Sequence, residues 1–291
     1  MTVAGAAGPG APLDGERLAA ALRGSGEAAM SMWADVRIVA ATASTNTDVL
    51  TEAAAGAAEG LVIAAESQTA GKGRLGRTWQ TRPGAALTFS VLLRPAAVPP
   101  AARGWLPLLA GVAVVGALAE VCGLDARLKW PNDVLAGGGK LAGILAEQFG
   151  EAIVVGIGIN VLGGAHELPV ATATSLERCG LGGTDRTALL AAILRQLEHW
   201  YLRWHQTGPG DADASGLRKE YLSMSATAGE QVSVQLPGDQ VLTGVAAGVD
   251  GAGQLLVETE PGARLVAVSA GDVIHVRAAA SARPGGDPDP S

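Results

Sequence analysis

The chain has 291 residues, is 48% hydrophobic and carries a formal net charge of −7. An acidic surface does not support sequence-independent binding to nucleic acid or to an anionic membrane, so any anion-binding site has to be local. Cys122 and Cys179 stand alone, without a CxxC pair or a Cys/His cluster. This argues against a disulfide framework or a zinc site and is typical of a protein of the reducing cytoplasm.

The two ends of the chain are predicted to lie outside the folded core. Residues 1–30 lack the basic start and apolar run of a signal peptide, and we predict a disordered or partly helical extension with a short helix over 14–23. Residues 279–291 contain almost nothing that could offset the entropy of ordering, so they are predicted to be disordered. The region before Asp35 offers at most one helix, too few for a helix-turn-helix DNA-binding head.

The first half of the core alternates strands with helices. Strands are predicted over residues 35–42, 61–67 and 86–95. Ser44 or Thr45 can cap an intervening helix that has Asp48 in its first turn and Gly60 after its end. Residues 106–124 are the most apolar stretch, but Pro107 and Glu120 leave it short of a membrane span. We therefore predict a buried helix there.

The second half begins with a strand over 126–130, a Pro-containing turn and a hairpin with a glycine-rich tip. Residues 152–161 are β-branched and nearly all apolar, which is typical of the central strand of a sheet. A long amphipathic helix is predicted over 185–208 and a short helix over 214–223. From Ala226 the pattern changes to short alternating strands, typical of a small β-barrel. We therefore place a domain boundary near residues 224–229.

Residues 71–77, with the sequence GKGRLGR, concentrate positive charge in this acidic chain. Backbone N–H groups exposed by glycines form concave anion sites, and arginines add bidentate donors. The run therefore suits a phosphate or an adenylate phosphodiester. It is not a P-loop, because the chain contains no GxxxxGK[ST] string. Taken alone, the run is best interpreted as a solvated basic loop.

Two further stretches change that interpretation. In KWPND, residues 129–133, Pro131 fixes φ so that Asn132 and Asp133 project from a turn. Seven residues later Lys140 begins a strand in which Gly143 leaves room for a ligand to approach the backbone. The GIGIN stretch at 156–160 adds a GxG on a strand, which is weak evidence by itself.

Together with STN at 44–46 and Gln68, these stretches occur in this order and spacing in bacterial biotin protein ligases. The resemblance covers roughly Val36 to Ile274, and the chain is identified on it as a member of that family. It implies an α+β fold similar to the catalytic domains of class II aminoacyl-tRNA synthetases and lipoate ligases, with a mixed sheet over residues 31–225. A C-terminal SH3-like β-barrel is implied over residues 226–278.

The resemblance also implies roles for individual residues. Lys140, Arg74, Arg77 and Asp133 are the implied catalytic residues, of which Lys140 meets the reacting carboxyl and phosphate oxygens. Four polar residues are implied to contact the ureido ring of biotin: Ser44, Thr45, Asn46 and Gln68. Gly143, Gly156 and Gly158 are implied to line the floor of the biotin site. The implied ligand-binding residues are Ser44, Thr45, Asn46, Gln68, Gly71, Lys72, Gly73, Arg74, Trp79, Lys129, Asn132, Lys140, Gly143, Gly156, Gly158 and Asn160. One departure is that Lys72 stands where the family usually has arginine.

The implied reaction has two steps. The biotin carboxylate attacks the α-phosphate of MgATP to give biotinyl-5′-AMP, and a lysine on the biotin carboxyl carrier domain of an acyl-CoA carboxylase then displaces AMP. No protein nucleophile is required, and catalysis rests on positioning and charge stabilisation. The four histidines lie far from these motifs in the sequence and are predicted to be structural or exposed: His166, His199, His205 and His275.

Three alternatives stay open at this point: a lipoate ligase, a biotin-responsive DNA-binding repressor and a non-catalytic biotin-binding protein. The sequence favours the biotin ligase, because GKGRLGRTW followed by KWPND fits that family better. We expect a cytoplasmic enzyme, monomeric or weakly dimeric, that binds neither DNA nor membrane. Its substrates are expected to be ATP and biotin, with Mg²⁺ accompanying ATP and protein ligands to the metal unassigned.

Overall fold

The computed structural model describes residues 10–23, 31–163, 168, 172–236, 238, 240–262, 264–269 and 271–275. The predicted tail at 279–291 lies outside these ranges, as do residues 1–9 and 24–30 of the N-terminal extension and His166.

A seven-stranded mixed sheet forms the larger part of the molecule. Its strands are β1 Asp35–Val39, β2 Leu61–Ala65, β3 Ala86–Leu93, β4 Arg127–Lys129, β5 Asp133–Ala136, β6 Gly139–Phe149 and β7 Ala152–Asn160. They lie in the order β1-β2-β3-β7-β6-β5-β4. The pair β1–β2 is parallel and the other neighbouring pairs are antiparallel. As predicted, β7 is central and buried along its whole length.

Helices cover one face of this sheet and part of the other. They are α1 Gly15–Leu22, α2 Thr45–Ala54, α3 Leu106–Cys122, α4 Arg186–Gln206 and α5 Leu217–Met224. The stretch Pro100–Cys122 is long and apolar enough to span a membrane, but 67% of its most apolar window is buried inside the protein. It packs between α4 and the sheet, so the predicted buried helix is confirmed as the central helix of the core.

The opposite face of the sheet is divided in two. On one half α2 packs through Val49 against an apolar cluster that includes Ile63, Leu92 and Val154. Side chains two residues apart on a strand lie on the same face. The other half of this face therefore carries the residues two and four positions before Leu92 on β3 and two and four positions after Val154 on β7, together with their neighbour on β6. These positions hold glycines and hydroxyl side chains: Thr88, Ser90, Gly143, Gly156 and Gly158. A trough is therefore left beside the N-terminus of α2.

A separate five-stranded antiparallel sheet follows at the C-terminus. Its strands are β8 Gln231–Gln235, β9 Val241–Val249, β10 Leu255–Glu258, β11 Val266–Val268 and β12 Asp272–His275, in the order β11-β10-β9-β8-β12. Two buried tryptophans join it to the larger part: Trp105 Nε1 donates to the Gly251 carbonyl at 3.1 Å, and Trp130 Nε1 to the Gly253 carbonyl at 3.1 Å. The predicted fold class, a mixed sheet followed by a small β-domain, is confirmed.

The predicted ends of α2 need correction. Ser44 occupies the N-cap position, but its side chain makes no capping hydrogen bond. Asp48 accepts from Thr42 Oγ1 at 2.6 Å and does not complete a capping box. The helix ends at Ala54, so Gly60 is not part of its C-terminal cap. Gly60 has a φ of +92° and leads into β2, where an added Cβ would lie 2.0 Å from the Met32 carbonyl oxygen.

Candidate active site

Three glycines form a floor on which other side chains lie directly, and we call Gly143, Gly156 and Gly158 the glycine floor. A Cβ at Gly156 would lie 2.0 Å from Asn46 Oδ1, and one at Gly158 would lie 2.5 Å from Trp79 Nε1. Real Cβ atoms do not make contacts this short, so glycine is required for Asn46 and Trp79 to reach the sheet.

A chain of hydrogen-bonded polar groups runs along one side of the floor, and we call it the polar chain: Gln68, Thr45, Ser90, Asn46 and Glu147. Gln68 Oε1 accepts from the Thr45 amide at 2.8 Å, and Thr45 Oγ1 lies 2.7 Å from Ser90 Oγ. Ser90 Oγ donates to Asn46 Oδ1 at 2.6 Å, and Asn46 Nδ2 donates to Glu147 Oε2 at 2.7 Å. The first four of these side chains are buried.

An ion pair lies at the other end of the floor. Lys140 Nζ is 2.6 Å from Asp133 Oδ1 and 6.0 Å from the centre of the Trp79 ring. The register between β5 and β6 shifts beyond Val134, and this bulge turns Lys140 towards Asp133. Lys129 is the cross-strand partner of Asp133 on β4, which places it on the same face of the sheet. Asp133 Oδ1 has no aligned hydrogen-bond donor among the described residues, so the contact with Lys140 is an ion pair alone.

The glycine- and cation-rich run at residues 71–77, which we call the basic loop, covers this end of the floor. Its base is closed by hydrogen bonds from the Trp79 amide to the Gly71 carbonyl and from the Gly73 amide to the Arg77 carbonyl, both 2.7 Å. At its tip Leu75 has a φ of 56° and is 74% exposed. The loop concentrates three cations at the open side of the site.

Two adjoining cavities share Arg74. One, of about 610 Å³, lies between the basic loop and β6, where Leu145 and Glu147 line it. The other, of about 360 Å³, lies between Trp130, Asn132 and the C-terminal turn Ala252–Gln254. Arg74 Nη1 also lies 3.5 Å from Asn132 Oδ1, which joins the basic loop to the KWPND turn.

The structure brings most of the sequence-predicted residues to this one face. Asn160 and Ser44 differ from the others in how their polar groups are used. Asn160 Nδ2 donates to the Thr174 carbonyl at 2.9 Å, so its amide is used inside the protein. Ser44 Oγ is buried without a hydrogen-bond partner among the described residues. The residues gathered around the floor are Thr45, Asn46, Gln68, Gly71, Lys72, Gly73, Arg74, Arg77, Trp79, Lys129, Asn132, Asp133, Lys140, Gly143, Gly156 and Gly158.

The sequence prediction missed two members of the polar chain, Ser90 and Glu147. Ser90 lies on the buried, mostly apolar strand β3, two residues from Thr88. Two polar residues on the same face of a buried strand could have indicated that this face lines a site. Glu147 had no such signal. His199 and His205 lie on α4, which packs against α3 on the other face of the sheet.

Comparisons with known proteins agree with this geometry. The model of the biotin/lipoate A/B protein ligase family matches residues 39–163, and that of the biotin protein ligase C-terminal domain matches residues 227–276. The biotin–[acetyl-CoA-carboxylase] ligase of Mycobacterium tuberculosis is 43% identical over 270 residues, 91% of this chain and 97% of that protein. The bifunctional ligase/repressor BirA of Bacillus subtilis is 33% identical over 72% of this chain and 65% of its own length. The structure of Aquifex aeolicus biotin protein ligase with biotin and ATP has a TM-score of 0.70 at 28% identity, covering 84% of this chain and 100% of that one.

Proposed function

The chain belongs to the biotin/lipoate A/B protein ligase family, and from that premise we propose that it is an ATP-dependent biotin protein ligase. The observation that carries the proposal is the arrangement around the glycine floor. The hydrogen-bonding groups of Gln68, Thr45, Ser90 and Asn46 lie along one side, and Lys140 and the basic loop supply positive charge beside them. A ligand with a polar ring and a carboxylate tail, such as biotin, matches both kinds of group.

In the first step the biotin carboxylate attacks the α-phosphorus of ATP, forming the acyl–phosphate bond of biotinyl-5′-AMP and breaking the bond to pyrophosphate. Lys140 is proposed to sit against the reacting oxygens, and Arg74 and Arg77 to offset the charge that develops on phosphorus. The 360 Å³ cavity beside Arg74 and Asn132 is the proposed place of the nucleoside, because it adjoins the basic loop.

In the second step a lysine amine of the acceptor attacks the mixed anhydride and AMP leaves with the bonding electron pair. We propose that the acceptor is the biotin carboxyl carrier domain of an acyl-CoA carboxylase, as the name of the Mycobacterium tuberculosis relative indicates. Asp133, 2.6 Å from Lys140, is proposed to orient the incoming amine. The basic loop would shield the anhydride from water.

Mg²⁺ is proposed to enter with ATP. Among the described residues there is no cluster of three or more His, Cys, Asp or Glu side chains placed to hold a metal. The metal would supply charge neutralisation on the phosphates, and its ligands in this chain are left unassigned. Free Cys122 and Cys179 support a cytoplasmic enzyme, which we propose to be a monomer or weak homodimer that binds neither DNA nor membrane.

A lipoate ligase is the nearest alternative, and the polar chain disfavours it. The dithiolane ring of lipoate has no N–H or carbonyl group, so binding it would leave the spare lone pairs of the buried Gln68 Oε1 and Thr45 Oγ1 without a donor from the ligand. Unpaired buried groups discriminate strongly between ligands. A non-catalytic biotin-binding protein would not need Lys140 and two arginines, and flat ATP consumption with biotin and acceptor present would favour it.

ATP–pyrophosphate exchange tests the proposal. Biotin should drive exchange with purified protein and MgATP, and lipoate at the same concentration should not. Exchange driven by lipoate, or by neither acid, would contradict it.

A further inference from the structure

The carboxylate of Glu147 has no role in the reaction proposed above, yet it ends the polar chain. We infer that Glu147 is a positioning residue that sets the direction of the hydrogen bonds made by the Asn46, Ser90 and Thr45 side chains, and so the pattern of acceptors offered to the ureido ring of biotin. The inference rests on the proposed function for the identity of the ligand.

The side-chain amide of Asn46 has a single orientation in this arrangement. Its Nδ2 lies 2.7 Å from Glu147 Oε2 and 3.3 Å from the Leu145 carbonyl oxygen. A carboxylate and a carbonyl only accept, so the nitrogen must face them. The amide is also pressed against the sheet, because a Cβ at Gly156 would lie 2.0 Å from Asn46 Oδ1. Asn46 Oδ1 is thereby turned towards Ser90.

The direction of the remaining bonds follows from counting protons. Asn46 Oδ1 only accepts, so Ser90 spends its single hydroxyl proton on the 2.6 Å bond to it. In the 2.7 Å contact between Ser90 and Thr45, Thr45 must therefore donate. The longer contact from Thr45 Oγ1 to Gln68 Oε1, 3.1 Å, then lacks a proton of its own.

This leaves acceptors at the far end of the polar chain. Gln68 Oε1 receives the Thr45 amide proton at 2.8 Å and retains a lone pair, as does Thr45 Oγ1. These two oxygens lie 3.1 Å apart, so together they offer acceptors to one N–H edge of a cyclic urea. If Asn46 rotated its amide, Ser90 would have to accept in its place, and the hydroxyl bonds of Ser90 and Thr45 would reverse. The Glu147 carboxylate at 2.7 Å and the Leu145 carbonyl at 3.3 Å both oppose that rotation, and the shorter, charge-assisted contact is the one with Glu147.

Glu147 also lines the cavity beside the basic loop, so its charge has a competing explanation as a counterion for the loop cations. The two roles separate experimentally. A counterion acts through its charge, so removing it would change the KM for ATP. A positioning residue acts through its acceptor atom, so removing it would change the Kd for biotin.

The test uses the full chain with Glu147→Met and Glu147→Gln, which both remove the charge but of which only glutamine keeps an oxygen acceptor. Calorimetric titration with biotin should show a Kd raised about tenfold by Glu147→Met, ~1.4 kcal/mol, and largely restored by Glu147→Gln. The KM for ATP, and kcat at saturating biotin, should stay within about twofold of wild type.

A second pair of variants tests whether Glu147 acts through the polar chain. In a Ser90→Ala background Glu147→Met should add little to the loss of biotin affinity, because the chain is already interrupted. Equal losses from the methionine and glutamine variants, additive effects with Ser90→Ala, or an unchanged biotin Kd would overturn the inference. Failure of the wild-type protein to bind biotin would instead refute the proposed function, and with it the ligand assigned to the chain.

Discussion

At the scale of single residues, the site depends on positions where glycine leaves out a side chain as much as on the polar side chains themselves. The glycine floor lets Asn46 and Trp79 lie against the backbone of β7, where any side chain would collide with them. Gly71 does the same for the basic loop, since a Cβ there would lie 2.1 Å from the Trp79 carbonyl oxygen. These glycines therefore determine which polar groups reach a ligand.

Gly156→Ala tests the floor. The added Cβ must displace Asn46 and break the polar chain, so biotin affinity should fall by about tenfold or more, ~1.4 kcal/mol. The overpacking should also lower the free energy of unfolding by about 1–3 kcal/mol. Gly183→Ala is the matched control, because nothing lies within 4 Å of its Cβ position. Titration with biotin and chemical denaturation check both effects, and a folded Gly156→Ala protein with unchanged affinity would contradict the account.

Lys140→Ala tests the proposed catalytic lysine. Removing a charged donor from the reacting oxygens should lower the rate of adenylate formation by about 10²-fold or more. The fold should persist, because a partly exposed ion pair contributes only about 0–1 kcal/mol. Biotin-dependent pyrophosphate release is the measurement, with the exposed Lys219→Ala as control. Near-normal release by Lys140→Ala would contradict the assignment. Loss of release in Lys129→Ala would then indicate that Lys129 is the catalytic lysine.

At the scale of elements, the basic loop is the part proposed to move. Its base is held by main-chain hydrogen bonds, whereas its tip is exposed and carries Leu75 at positive φ. Ordering a tip that contains Gly73 and Gly76 costs entropy, and bringing Lys72, Arg74 and Arg77 together costs repulsion. A bound anion offsets both costs, so closure should depend on ligand.

Hydrogen exchange measures that dependence. Of the residues between Thr69 and Arg77, the amides of the exposed tip around Leu75 should exchange fast without ligand and become protected with biotin and MgATP or a stable adenylate analogue. Amides of the buried strand β7 should be protected in both states and serve as the internal control. Equal exchange of the loop in the two states would show that it is a solvated surface loop and nothing more.

Substitutions in the loop should change how well the adenylate is retained. Arg74→Gly should leave the loop open more often, so that escaped biotinyl-5′-AMP labels lysines of bystander proteins. Lys72→Arg restores a bidentate donor and should reduce that labelling. Labelling of serum albumin added to the reaction reports the escape. An Arg74→Gly protein that leaks no more than wild type would contradict a retaining role for the loop.

At the scale of the whole molecule, the C-terminal sheet braces the KWPND turn. Trp130 of that turn donates through its ring to Gly253, and its amide donates to Thr227 Oγ1 at 3.1 Å. The sheet therefore holds the segment that leads into Asp133. Ending the chain near Ser225 should lower Tm and harm transfer to the acceptor at least as much as biotin binding.

A smaller change separates bracing from simple unfolding. Gly253 and Gly262 both have positive φ, but only at Gly253 would a Cβ approach the larger part of the molecule, 2.9 Å from the Gly104 carbonyl oxygen. Gly253→Ala should therefore reduce the ligation rate more than Gly262→Ala does. Equal rates for these two variants would contradict a bracing role for the contact at Gly253, and full activity of the truncated chain would show that the C-terminal sheet is dispensable.

How far the sequence predicted this arrangement varies with the kind of feature. The strands and helices followed from periodicity, and β7 was placed at the centre because its residues are apolar on both faces. The motif residues were predicted from resemblance alone. Ser90, Glu147 and the contact of Trp130 with the C-terminal sheet were missed, because they depend on strand register and domain packing, to which local patterns are insensitive.

The measurement that tests the account most directly is mass spectrometry of the acceptor. The protein should be incubated with biotin, MgATP and the biotin carboxyl carrier domain of an acyl-CoA carboxylase. We predict that one lysine of the acceptor gains the mass of a single biotinyl group, only when ATP is present, and that lipoate in place of biotin adds none. An unmodified acceptor with folded protein and all substrates present would contradict the proposal that this chain is a biotin protein ligase.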